Sequence, residues 1–226
     1  MTDKKPTDYE KYIRTDELLA LQKPRAQRVN RDELLFQSVH QAAEIMMKCI
    51  IEEGTEVRAL LGAGKLAEAA HYTRRMALIL ENLNRHITVL ESMTPADYHV
   101  IRLQALGRGS GQESPGFNEI LALGDPLWSA FQSALQQSGV ALADIFRTPR
   151  GHWDLWLVVQ SFMALDESFQ HWRFAHFALV KRIIGIEVKS LKDVPAAQLA
   201  KGMTESFFPE LWSQVNVLTR ETRPGY

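Results

Sequence analysis

Apolar residues recur at three- and four-residue steps along most of this chain, the spacing of amphipathic helices rather than strands. From Asp32 to about Gly62, Leu35, Val39, Ala42, Ala43, Met46, Ile50 and Val57 keep that rhythm, while Glu33, Gln41, Lys48 and Glu52 take other faces. The pattern predicts one helix of about 30 residues and ~45 Å. Asn30 stands as its cap with Glu33 at capping-box spacing, and Gly62 and Gly64 end it. Lys65 to Glu91 repeats the pattern through Leu66, Ala69, Ala70, Met76, Ile79, Leu80, Leu83, Ile87 and Leu90. Thr94-Pro95-Ala96-Asp97 starts a third helix: a capping threonine, proline at the first helical position and an acid in the first turn.

Residues 107–116 hold four glycines and a proline and read as a loop. Short helices are predicted over 117–123 and 127–138, and a long aromatic-rich helix from about His152 to Gly185. Ser190 to Pro195 reads as a connector, and Ala196 to Leu218 as one or two helices interrupted near Pro209. No alternating strand pattern exceeds four residues. The expected fold is all-α, a single helical domain over residues 1–226 with the first eight residues disordered.

Composition narrows the function. With 26 basic and 27 acidic residues the net charge is −1, which gives no electrostatic footprint for nucleic acid or an anionic membrane. No apolar run approaches the ~18 residues of a membrane span, and the polar start carries no secretory signal, so a cytoplasmic protein is expected. The one cysteine, Cys49, excludes an internal disulfide, a CxxC zinc site and a covalent haem anchor, and beside Met47 it reads as an inert buried thiol. A di-iron bundle needs two Glu-x-x-His motifs, and only Glu68-Ala-Ala-His71 is present. Walker loops, HExxH and GxSxG are missing.

What remains is a set of histidines beside aromatics on helix faces. Phe36 and His40 share one face, and Trp172 and His176 share another, with Phe169 and Arg173 nearby. These are core aromatics with satisfied histidines, or they wall a b-type haem pocket, in which an imidazole ligates iron without a cysteine anchor. Periodicity alone leaves both open.

Leu165-Asp-Glu-Ser-Phe-Gln-His-Trp-Arg-Phe-Ala-His176, followed by Val180-Lys-Arg-Ile-Ile-Gly185, resembles the haem-ligand helix of the tryptophan 2,3-dioxygenase family. Tyr9-Glu-Lys-Tyr12 with Leu18, Leu19 and Gln22 is similar to that family's amino-terminal segment. Asp32-Glu-Leu-Leu-Phe36-Gln-Ser-Val-His40-Gln41, with Glu44 and Lys48, resembles its distal-side helix, and Phe207-Phe-Pro-Glu-Leu-Trp212 its closing helix. The resemblance spans nearly the whole chain. It implies a bundle of long helices around haem b, with His176 as the iron ligand and Trp172 in the cofactor wall. It further implies His40 on the distal, catalytic side facing the indole nitrogen, and Phe36 against the substrate. Arg102 and Ser110 match residues that bind the substrate. Tyr9 and Tyr12 match residues given to a neighbouring subunit's pocket by a segment corresponding to 9–23, so a homo-oligomer, dimer or tetramer, is implied.

The implied reaction is dioxygenation of the indole 2,3 bond of tryptophan or a derivative by O₂. Two other readings stay open: a haem-dependent monooxygenase hydroxylating tyrosine or an indole, and a haem-binding helical protein without turnover. Arg102 lies eight residues before Ser110 where the family spacing is seven, leaving Arg108 as a competitor for the substrate carboxylate. The family's glycine-rich loop, whose threonine meets the substrate ammonium, is replaced by Ile186-Glu-Val-Lys-Ser-Leu-Lys-Asp193, with Ser190 the nearest substitute. Recognition of the carboxylate is therefore expected to be kept and that of the ammonium weakened.

Overall fold

A computed structural model describes residues 5–107, 109–187 and 202–223, and these residues contain helices and no strand. In chain order the helices are α1 (Asp8–Ile13), α2 (Thr15–Ala20), α3 (Glu33–Gly62), α4 (Leu66–Leu90), α5 (Pro95–Gln104), α6 (Pro115–Leu121), α7 (Gly124–Ser138), α8 (Leu142–Arg147), α9 (Trp153–Ile183) and α10 (Pro209–Thr222). The expected all-α class holds. Arg108, Ser190 and the expected 190–195 connector lie outside the described residues, as does the first part, 196–201, of the helices expected from Ala196 to Leu218.

Three long helices make the frame. α4 packs along both α9 and α3, and α6 and α7 also pack on α3. Their facing stripes, Ile50, Val57 and Leu61 from α3, Met76, Leu80 and Leu83 from α4, and Phe162, Leu165 and Phe169 from α9, are at most 2% exposed. Burying a large side chain contributes roughly 1.5–3 kcal/mol, so this seam rather than helix propensity holds the bundle.

The helix ends show where the pattern falls short. Asn30 does receive the N–H groups of Asp32 and Glu33, each at 3.1 Å, while its own amide donates to the Asp97 carbonyl at 2.8 Å. The expected reciprocal box is not closed. The Glu33 carboxylate takes the Val29 N–H and the Lys23 ammonium instead. Burial works to raise the Glu33 pKa, but Lys23 and the Val29 N–H outweigh it and hold the carboxyl below its ordinary value. The 107–116 stretch is not all loop. A 3₁₀ turn forms over Gly111–Glu113, and α6 starts at Pro115 because Ser114 accepts the Phe117 N–H and proline fits the first helical position. The apolar pattern does not predict α8, because six residues are too few to show a helical period.

Cys49 is exposed, which corrects the buried thiol expected from its neighbour Met47. Successive helical residues point ~100° apart, so Met47 faces the core while Cys49 turns away.

Candidate functional site

Helices α3, α4, α5 and α9 and the 109–114 loop enclose a cavity of about 600 Å³. Its wall includes Phe36, His40, Arg102, Ser110, Trp172 and His176, six of the eight residues singled out in the sequence. Tyr9 and Tyr12 are not among them; they stand 70% and 87% exposed on α1.

His40 is fixed from its own helix. Its Nδ1 lies 2.7 Å from the Phe36 carbonyl oxygen, and a carbonyl only accepts, so Nδ1 carries the proton and Nε2 is left as an acceptor. The Phe36 ring sits 4.1 Å from the imidazole, and Tyr98 lies behind Phe36 at 6.0 Å. His40 lines the cavity, and surrounding protein lowers its pKa by desolvation, against the opposing pull of the Phe36 carbonyl and Glu44.

His176 projects from α9 into the same cavity. Burial first, and His40 second, lower its pKa to about 4, so the imidazole is neutral near pH 7. A β-carbon at Gly111 would sit 3.9 Å from His176 Nε2, so the 109–114 loop comes close to that nitrogen. Behind His176 runs a ladder of rings: Trp172 parallel to it within 3° at 5.5 Å, Phe169 parallel to Trp172 within 3° at 6.3 Å, then Phe207 on Phe169 at 4.5 Å. The indole nitrogen of Trp172 is buried and has no acceptor among the described residues.

Arg102 and Tyr98 come from successive turns of α5. Burial raises the Tyr98 pKa, and the nearby Arg102 guanidinium opposes that rise. Ser110 opens the 3₁₀ turn, its hydroxyl accepting the Gln112 N–H and its own N–H donating to Glu113 at 2.9 Å.

Three wall residues were not read as site residues. Glu44 follows His40 by one turn of α3. Tyr98 lies under Phe36. His86 enters from α4 between Leu83 and Leu90. A polar residue inside an otherwise apolar stripe was the signal available for His86. For Glu44 the signal available was its place in the segment that resembles the family's distal-side helix; its helical spacing alone does not distinguish it from a solvated carboxylate.

The arrangement defines an all-α protein with two neutral-leaning imidazoles, on different helices, turned into one mostly apolar cavity with an arginine at its wall. Residues 2–126 match the family model described as tryptophan 2,3-dioxygenase. The tryptophan 2,3-dioxygenase of Erythrobacter litoralis is 30% identical, the alignment covering 91% of this chain and 96% of that protein. That of Herpetosiphon aurantiacus is also 30% identical with the same coverage, and one from Pseudomonas aeruginosa is 27% identical over 90% of this chain and 87% of its own length. The chain belongs to the tryptophan 2,3-dioxygenase family, and with it to the oxidoreductases. The first alignment runs over 257 positions against a chain of 226 residues, so the shortening relative to that protein lies in internal gaps.

Proposed function

We propose that the protein is a haem-dependent dioxygenase that adds both atoms of O₂ across the 2,3 bond of the tryptophan indole. The observation that carries this reading is the pairing of His40 on α3 with His176 on α9 across one cavity. The residues suit haem b. The His176 imidazole is neutral and has no hydrogen-bond partner among the described residues, and the orphaned Trp172 N–H is a donor awaiting an acceptor. No cysteine anchor is needed. His176 would hold the iron, and haem would supply O₂ activation.

The chain's own part is to bind, orient and keep water out. Phe36 offers its ring to the indole, and His40 Nε2, kept as an acceptor by the Phe36 carbonyl, receives the indole N–H. Arg102 and the Ser110 hydroxyl, both in the cavity wall, take the substrate carboxylate, and the guanidinium fork fixes angle as well as position. The aromatic ladder behind His176 dries the other side. The segment 9–23, with Tyr9 and Tyr12, serves a second copy of the chain in a homo-oligomer. In support, α1 and α2 bury none of their own residues.

The test is incubation of the haem-reconstituted, reduced protein with tryptophan under O₂, with products read by mass. Gain of two oxygens is expected. Gain of one oxygen, or no product, overturns the dioxygenase reading.

A further inference from the structure

Glu44 lies one helical turn after His40, on the same face of α3 and in the cavity wall. Its two oxygens are both used across the gap between helices. One accepts the Ser114 hydroxyl and the other accepts the Gly116 N–H at 3.0 Å. Ser114 in turn accepts the Phe117 N–H at 3.1 Å, so a carboxylate and a hydroxyl together satisfy the first N–H groups of α6. Gly116 is what lets the segment come this close. A β-carbon there would lie 2.8 Å from the Glu44 oxygen and 2.8 Å from Met47 Cβ. At the loop's other end Ser110 is tied to Gln112 and Glu113. Residues 110–116 are thus one hydrogen-bonded piece, tied to the His40 helix by both oxygens of Glu44 and packed there against Met47, whose sulfur lies 4.0 Å from the Ser114 hydroxyl.

We infer that Glu44 is a positioning residue, setting the distance between the Ser110 hydroxyl and His40 and so the register of the substrate carboxylate against the indole. The inference rests on the dioxygenase reading for what occupies the cavity. Capping α6 alone does not need a partly buried carboxylate, because Ser114 already serves Phe117; an anion at this position costs desolvation, and its return is the link to Gly116 and the loop. Glu44 touches neither end of the substrate in this reading. It acts by holding Ser110.

Glu44→Gln keeps the shape but removes the charge, and with its amide oxygen on the Gly116 N–H its N–H₂ has to donate to the Ser114 hydroxyl, reversing that bond. Gly116→Ala attacks the same contact from the other side. In the haem-loaded protein each should raise the tryptophan KM about tenfold, the scale of one lost charge-assisted hydrogen bond, with kcat changed less than about threefold and haem content unchanged. The double variant should fall well short of the product of the two. Hydrogen exchange of the haem-free Glu44→Gln protein should show the amides of 110–117 losing protection at least about tenfold, with α4 and α9 unaffected. Unchanged KM with only a lowered Tm, multiplicative variants, or a 110–117 segment as protected as in the parent would overturn the inference. If the parent protein fails to oxygenate tryptophan, the proposed reaction falls by itself, and the exchange measurement still decides whether Glu44 holds the loop.

Discussion

Asp166 accepts the indole N–H of Trp212 at 2.7 Å, joining two motifs 46 positions apart in the chain. The carboxylate is fully buried on α9 and also accepts the N–H groups of Phe207 at 3.0 Å and Phe208 at 3.3 Å, with Gln170 adding a fourth donor at 3.2 Å. Those backbone groups precede α10, whose entry they fix. Phe207 then stacks on Phe169, and the ladder continues through Trp172 to His176. One buried acid therefore connects the closing helix to the orientation of the histidine in the cavity.

Removing that acid strands several buried donors at once. Asp166→Ala is expected to cost about 3–5 kcal/mol in urea unfolding, whereas Trp212→Phe, which deletes one donor and leaves the acid with the others, should cost about 1 kcal/mol. Equal losses would mean that the backbone bonds to Phe207 and Phe208 contribute little.

The two cavity histidines should separate cleanly. His176→Ala is expected to purify without a Soret band while keeping its far-UV circular dichroism. His40→Ala should keep the Soret band and lose tryptophan turnover by roughly tenfold, the scale of the hydrogen bond to the indole nitrogen. Absorption spectra and steady-state rates on both variants check this, and a normal Soret band in His176→Ala would remove it from the ligand role.

The low pKa of His176 makes the haem-free protein acid-sensitive. A histidine whose folded pKa is lowered binds fewer protons folded than unfolded, so stability is flat above the ordinary value of 6.5 and falls as the pH drops from there to about 4. The expected loss over that window is on the order of 3 kcal/mol, and His176→Phe should flatten the slope. His40, also lowered, adds to the fall in the same direction. Chemical denaturation at a series of pH values measures it.

Long helices were legible because 3.6-residue periodicity accumulates over many turns, and α3, α4 and α9 came out within a few residues of the expected spans. Phe36, His40, Trp172 and His176 were legible as pairs, since i and i+4 positions share a face. What joins helices was not. Asp166 with Trp212, and Glu44 with Gly116, pair residues on different elements, and nothing local marks either acid as an acceptor rather than a solvated charge. Cys49 was misplaced because nearness in sequence is not nearness on a helix face.

The substrate's two charges should behave differently. Arg102 stays in the cavity wall despite the extra residue before Ser110. Arg102→Ala or esterification of tryptophan should each cost about 1.5–3 kcal/mol in kcat/KM, and the two together little more than either. N-acetylation should cost less, because the threonine-bearing loop of the family has no counterpart in the sequence of residues 186–193. If N-acetyltryptophan is rejected as strongly as the ester, the ammonium is still paired and the expectation fails.

The amino-terminal segment makes the last expectation. Helices α1 and α2 are only six residues each, meet at Arg14 in a left-handed conformation (φ 53°), and bury nothing of their own. Helices that short are not stable alone in water. Leu19 and Leu21 are 67% and 64% exposed, and a groove of about 1030 Å³ between α2 and α3 is lined by Leu18, Leu21, Leu34 and Ile45 and also by His40 and Glu44. A second chain seated there would cover the apolar residues and bring side chains close to the cavity. Tyr9→Ala with Tyr12→Ala removes no packing within the chain, so its intrinsic stability should move by no more than about 0.5 kcal/mol. Any larger change would have to come through assembly and would vary with protein concentration. Sedimentation should therefore show an oligomer for the parent and smaller species for the double variant or for deletion of residues 1–14, with a raised tryptophan KM. A parent chain that is monomeric at working concentration, or a truncated one with unchanged KM, would show that this segment serves no neighbour.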